Sequence, residues 1–150
     1  MHSAKRGTFS FRRKKSREAP LHEVFICFIP ETLALDGDPL DVLVITQYAI
    51  QSKTTVLCKP IGVLYMEDEK GIDEKIIAVP VANVDKMYKN INDLGDVMLH
   101  QLEEIKYFFK TYKNLEKYKW TNVLDFKSAY YAENIINKYK KDYMEMKFKK

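Results

Sequence analysis

Only two of the 150 residues are cysteine, Cys27 and Cys58. Their spacing matches no paired metal motif, and nothing near them suggests a secreted disulfide framework, so reduced thiols in a cytosol-like compartment are expected. No apolar run reaches the roughly 18 residues that a membrane-spanning helix needs, and the N-terminus lacks the apolar stretch of a secretory signal. A soluble, cytoplasmic protein without a membrane partner is the expectation. No internal repeat is visible. Arginine is absent after Arg17, and acid is absent before Glu18.

Those last two absences mark a seam. Residues 1–17 hold seven Lys or Arg, whereas the rest holds 18 lysines and 21 acids, net −3, so the +4 of the whole chain belongs to its start. Residues 1–20 read as a basic leader, disordered or unrelated to the fold, and residues 21–150 as a single domain. Three origins stay open for the leader. Arg12-Arg13-Lys14-Lys15 suits a nuclear or nucleic-acid patch, the acid-poor start suits an organelle transit peptide, and the abrupt change of composition suits an altered start or fusion scar.

A content of 46% hydrophobic residues is enough for one real core. Residues 41–47, 54–66 and 75–81 are apolar and β-branched and read as antiparallel strands, with Thr55, Leu57, Ile61 and Val63 inward in the second. The polar, Gly-containing link over 67–73 has hairpin character and is expected to set Asp68 and Asp73 on one exposed turn. Asn92 and Asp93 suit a helix N-cap. After them Leu94, Val97, Met98, Leu102, Ile105, Phe108, Phe109 and Tyr112 recur at three- and four-residue steps, predicting one long amphipathic helix. A second helix is predicted over about 128–143, with Tyr131, Ile135, Ile136 and Tyr139 on one side. Strands first and helices after make an α+β domain.

Chemistry concentrates in Asp36-Gly37-Asp38-Pro39-Leu40-Asp41. Three carboxylates so close would repel one another in a folded site unless a cation sat among them. Gly37 and Pro39 make a bend into the strand that starts at Asp41, so the three side chains can converge. Hard oxygen ligands with no histidine or thiol nearby select magnesium, manganese or calcium over zinc or copper, magnesium first. A calcium EF-hand loop fails, because its sixth-position glycine would be Asp41 and its twelfth-position glutamate Gln47. An ordinary surface turn remains the plainer alternative, and more so for the segment from Asp68 to Asp73, whose make-up is that of an exposed hairpin. Lys75, two residues after Asp73 and on the same strand face, suits a phosphate oxygen beside metal-bound carboxylates, or is simply a solvated edge lysine. Tyr112-Lys113 closes the long helix, where a lysine also suits the negative end of the helix dipole.

In order, these segments resemble the soluble inorganic pyrophosphatases built on a small β-barrel. The acidic run continues into Val42, the next segment is similar to Lys59-Pro60-Ile61-Gly62-Val63-Leu64-Tyr65-Met66, and Asp68-Glu69-Lys70-Gly71-Ile72-Asp73-Glu74-Lys75 follows. Phe108-Phe109-Lys110-Thr111-Tyr112-Lys113-Asn114-Leu115-Glu116 resembles the family's helix ending, with Lys119-Trp120 beyond, so the match spans about 28–139. The resemblance implies an OB-like antiparallel β-barrel followed by two amphipathic helices, and Mg-dependent hydrolysis of pyrophosphate to two phosphates. It implies that Asp36, Asp41 and Asp73 hold the principal metal ion, that Asp68 with Asp73 binds further ions, and that Asp38 takes a proton from the attacking water. Lys75, Tyr112 and Lys113 would hold phosphate oxygens. The family's bacterial members are compact homo-hexamers, so a homo-oligomer is implied, whereas a nucleic-acid partner is not expected.

The resemblance thins before Phe28. The family carries two glutamates, a lysine and an arginine on early strands, then a Tyr-Pro-Cys-Asn-Tyr-Gly run. Here His22-Glu23-Val24-Phe25-Ile26-Cys27 stands instead, with Ile26 where a tyrosine is expected. The barrel is therefore expected to be incomplete at its N-terminal strands, with exposed edges. The alternative function is a catalytically impaired, truncated derivative that serves as a metal-binding or interaction module.

Overall fold

The computed structural model describes residues 9–13, 24–47, 51, 54–111 and 119–149. Strands β1 (Phe9–Arg13), β2 (Val24–Ile29), β3 (Leu40–Ile45), β4 (Thr55–Asp68) and β5 (Gly71–Pro80) precede two single-turn 3-10 helices, Lys86–Tyr88 and Leu94–Asp96. Helix α1 (Leu99–Thr111), strand β6 (Thr121–Ser128) and helix α2 (Ala129–Phe148) follow. They form one mixed six-stranded sheet in the order β1-β2-β3-β5-β4-β6, with β1 also paired to β4.

β3 and β5 are close to continuous apolar runs because both of their faces are buried. On one face Val42, Val44, Ile76 and Ala78 pack against Ala132, Ile135, Ile136 and Tyr139 of α2. On the other, Leu43, Ile45, Leu64, Met66 and Ile77 pack with Leu94 and with Ile105 and Phe109 of α1. The sheet is thus the middle layer of an α+β domain, curled toward a small barrel. Among the described residues, its N-terminal side is thin, since only the five residues of β1 join β2 to the start of β4.

Several expectations change. The strands are not all antiparallel, because β3 and β5 run parallel, with Val42 opposite Ile76 and Val44 opposite Ala78. That pairing leaves β4 on the outer side of β5, so β3 and β4, consecutive in the chain, are not neighbours in the sheet. Thr55 and Leu57 are exposed, unlike the buried Ile61 and Val63, because at the start of β4 it is Val56 and Cys58 that face the core, and the bulge between Pro60 and Gly62 resets the alternation beyond them. Residues 9–13, which the composition set apart with the leader, form a strand of the sheet. The Phe9-Ser10-Phe11 alternation is a period-two signal that the flanking cations hide. The remainder of the leader, and residues 21–23, lie outside the described residues. Cys27 and Cys58 are buried free thiols in one core cluster.

The long helix is shorter than its apolar spacing predicts. Asp93 and Asp96 cap the Leu94–Asp96 turn reciprocally, Val97 is extended, and the helix starts only at Leu99. These caps satisfy the backbone donors of Asn92, Asp93 and Leu94, which have no preceding turn to accept them, and fix a single closed turn before the chain extends at Val97.

That capped turn presses Leu94 onto β4 where the strand bulges between Pro60 and Gly62. A methyl group on Gly62 would lie 2.3 Å from Leu94 Cγ. Gly62→Ala is therefore expected to cost about 2 kcal/mol and to lower the melting temperature by about 6 °C in a chain of this size. A double-mutant cycle with Leu94→Ala checks the cause. The double variant should lose less than the sum of the two single losses, since truncating Leu94 makes room for the new methyl.

Candidate active site

Strand alternation sends Asp41, Leu43 and Ile45 of β3 to one face, together with Asp73, Lys75 and Ile77 of β5 and Met66 and Asp68 of β4. This is the face that α1 covers. Parallel pairing of β3 with β5 brings Asp41 beside Lys75 across 34 residues of sequence, with Lys75 Nζ 2.7 Å from Asp41 Oδ2. The same ammonium lies 2.9 Å from Asp73 Oδ2. Lys75 is 9% exposed, so its charge has been taken out of water and depends on the two carboxylates. Phe109 of α1 closes over it, with the ring centroid 6.0 Å from Nζ.

Asp68 sits one strand further, buried at the β4 end of the hairpin, where its Oδ1 accepts the Lys70 N–H at 2.9 Å. Glu69 and Lys70 alone make the turn, and Gly71 supplies its positive φ of 117°. Asp68 and Asp73 are therefore not on one exposed turn. Asp73 is opposite Met66 inside the ladder and Asp68 is its diagonal neighbour on the same face, because the strands run almost to the tip.

The loop that enters β3 holds the other two aspartates. Asp36 and Asp38 are exposed, and the Asp38 N–H donates to Asp36 Oδ1 at 3.0 Å over Gly37, whose φ is 87°. The Ala34 N–H donates to the Asp38 carbonyl, and Gly37 donates back to Ala34. Buried Thr32 braces both ends of the loop, its hydroxyl donating to the Ile29 carbonyl at 2.6 Å and accepting from the Leu40 N–H at 2.8 Å. The sequence reading missed this brace and the Phe109 cover. A threonine after Pro30-Glu31 at a strand end was the available signal for the first.

Asp41, Asp73 and Lys75 thus meet, Asp68 shares their face, and Asp36 and Asp38 stand on the adjoining turn. Among the described residues no three His, Cys, Asp or Glu side chains are gathered closely enough to form a ready-made metal cage. Tyr112 and Lys113 lie outside the described residues, immediately after the end of α1. No helix among the described residues is long and apolar enough to cross a membrane.

The sequence model of the family "Inorganic pyrophosphatase" matches residues 22–144. The chain is 49% identical over 116 residues to an inorganic pyrophosphatase of Campylobacter jejuni, covering 77% of this chain and 67% of that protein. It is 54% identical over 97 residues to one of Buchnera aphidicola, covering 65% of this chain and 54% of that protein. The matched part therefore spans between about half and two thirds of these two relatives. Among solved structures, the inorganic pyrophosphatase of Helicobacter pylori superposes with a TM-score of 0.81 at 40% identity, covering 85% of this chain and 75% of that one. That of Thermus thermophilus superposes with a TM-score of 0.85 at 31% identity, covering 92% of each chain. With the family model matching residues 22–144 and these relatives and structures alike over most of its length, the chain belongs to the inorganic pyrophosphatase family.

Proposed function

We propose that this chain hydrolyses inorganic pyrophosphate to two phosphates, using magnesium bound at the Asp41–Asp73 pole of the sheet. The observation that carries the reading is the convergence of Asp41 and Asp73 on one buried positive charge. Carboxylates that already satisfy a cation at 2.7 and 2.9 Å can ligate another, and a donor set of oxygen alone suits magnesium or manganese. Asp36 would complete the principal ligand set, and Asp68 would join Asp73 for ions that arrive with substrate.

A divalent cation bound here supplies charge neutralisation for the phosphates and lowers the pKa of water. The protein's share is positional and basic. Asp38, exposed on its Gly37 turn, takes the proton of the attacking water, and Lys75 turns its ammonium from the carboxylates to a phosphate oxygen as substrate enters. Tyr112 and Lys113 hold further phosphate oxygens. The Phe109 ring limits water around Lys75, which strengthens each of these charge interactions. We place the activity in the cytoplasm and expect a homo-oligomer, a hexamer as the resemblance implies.

Purified chain, freed of metal with a chelator, is expected to release phosphate from pyrophosphate at background rate and to recover at least about 100-fold when magnesium is restored, the scale of a metal-dependent step. A chain that stays at background with saturating magnesium would be the metal-binding or interaction module instead.

A further inference from the structure

Glu74 alternates away from Asp73 and Lys75 and lies on the opposite face of β5, beneath α2. There Tyr139 donates its hydroxyl to Glu74 Oε1. Tyr139 is 4% exposed and packed in the core that α2 shares with β3 and β5. Burial and the Glu74 carboxylate both push the Tyr139 hydroxyl up, so it remains a donor at physiological pH. The backbone of the same residue makes a second tie, its carbonyl accepting the Leu33 N–H at 3.0 Å. Leu33 follows the Thr32 brace and opens the loop that carries Asp36 and Asp38 and enters β3 just before Asp41.

We propose that Tyr139 is a positioning residue for the metal-binding carboxylates. Its hydroxyl fixes β5 between Asp73 and Lys75, and its carbonyl fixes the start of the loop that bears Asp36 and Asp38 and leads into β3 at Asp41. The two acidic segments come from different strands, and the sheet alone sets their register only where β3 and β5 pair, from Val42 and Ile76 onward. Asp41 and Asp73 both precede that pairing. One α2 residue holding both segments from behind limits their relative movement where the ladder no longer does. This inference rests on the site reading above, since it concerns the spacing of those ligands.

The test compares Mn²⁺ binding, followed by the electron paramagnetic resonance of the free ion, in the full-length chain and four variants. Tyr139→Phe removes the hydroxyl and keeps the ring and the carbonyl. Glu74→Ala removes the acceptor from the other side and carries the test if the first variant does not fold. Both are expected to bind Mn²⁺ about 10-fold more weakly, the loss typical when a partner that orients metal ligands is deleted. Glu74→Gln keeps an oxygen acceptor for Tyr139 and should stay within about threefold of the parent. Tyr130→Phe, an exposed hydroxyl on the same helix, should change nothing. In phosphate release, Tyr139→Phe should raise the magnesium concentration needed for half-activation while kcat recovers at saturating magnesium. A general loosening of the fold would not restore kcat in that way. Unchanged Mn²⁺ affinity in both Tyr139→Phe and Glu74→Ala overturns the inference and leaves the site reading intact. Failure of the parent chain itself to bind Mn²⁺ overturns both.

Discussion

Asp38→Asn is expected to reduce kcat for phosphate release by about 10²–10³-fold at saturating magnesium, the range for losing a positioned general base. The fold should not notice. Asp38 is exposed, and its role in the turn is made by backbone atoms, its N–H donating to Asp36 Oδ1 and its carbonyl accepting from Ala34. Asparagine keeps those atoms and nearly the same volume. A surface substitution of this kind shifts stability by no more than about 0.5 kcal/mol, so the melting temperature serves as the control.

The neighbouring Asp36→Asn sharpens the comparison. Its Oδ1 can still accept from the Asp38 N–H, so the turn again persists, but one negative ligand is lost. Here the deficit should appear as a higher magnesium requirement, with kcat largely restored when magnesium is in excess. A base and a ligand two positions apart are thereby separated by which kinetic constant moves. Asp38→Asn activity within threefold of the parent would remove Asp38 from the chemistry and shift the base to another group.

The elements legible in the sequence are those whose signal is local. β3, β4 and β5 announce themselves by β-branched apolar runs, and α1 and α2 by apolar faces that bury Ile105 and Phe109, or Ile135, Ile136 and Tyr139. β6 escaped notice because it is an edge, part-exposed along its length, so Thr121–Ser128 has no run of apolar residues to betray it. β1 escaped because Arg12 and Arg13 merge into a basic composition. The 3-10 turn at Leu94 was read as helix because its apolar spacing is right, and only the reciprocal Asp93 and Asp96 caps interrupt it.

For the site, strand alternation made the Asp73–Lys75 pair legible, whereas the residues themselves gave no sign that Asp41 joins it. Asp41 and Lys75 meet because β3 and β5 are parallel neighbours, a pairing set by long-range packing on both faces of the sheet. Nothing in either segment specifies it. The tie from Tyr139 to Glu74 is non-local in the same way, crossing from the last helix to a strand 65 residues earlier.

That partnership yields a prediction with two opposite signs. Lys75→Met keeps much of the side chain's bulk against Phe109 and removes its charge, leaving Asp41 and Asp73 facing each other at 15% and 20% side-chain exposure. Removing one partner of a buried ion group costs about 3 kcal/mol, so without metal the variant should melt about 9 °C lower than the parent. Metal affinity should move the other way. In the parent an arriving divalent ion competes with an ammonium already 2.7 Å from Asp41 and 2.9 Å from Asp73, whereas in the variant it relieves the repulsion of two bare carboxylates. Mn²⁺ should then bind about tenfold tighter and recover most of the lost melting temperature, because a ligand bound only by the folded state stabilises it by mass action. Phosphate release should nevertheless fall about 10²–10³-fold, as when one donor to the developing charge is removed. Tighter metal, weaker catalysis and lower metal-free stability in a single variant identify Lys75 as the charge that stands in for the cation before it binds and serves the phosphate afterwards. Weaker Mn²⁺ binding in Lys75→Met would instead make the lysine an organiser of the carboxylates, and the exchange between ammonium and metal would have to be abandoned.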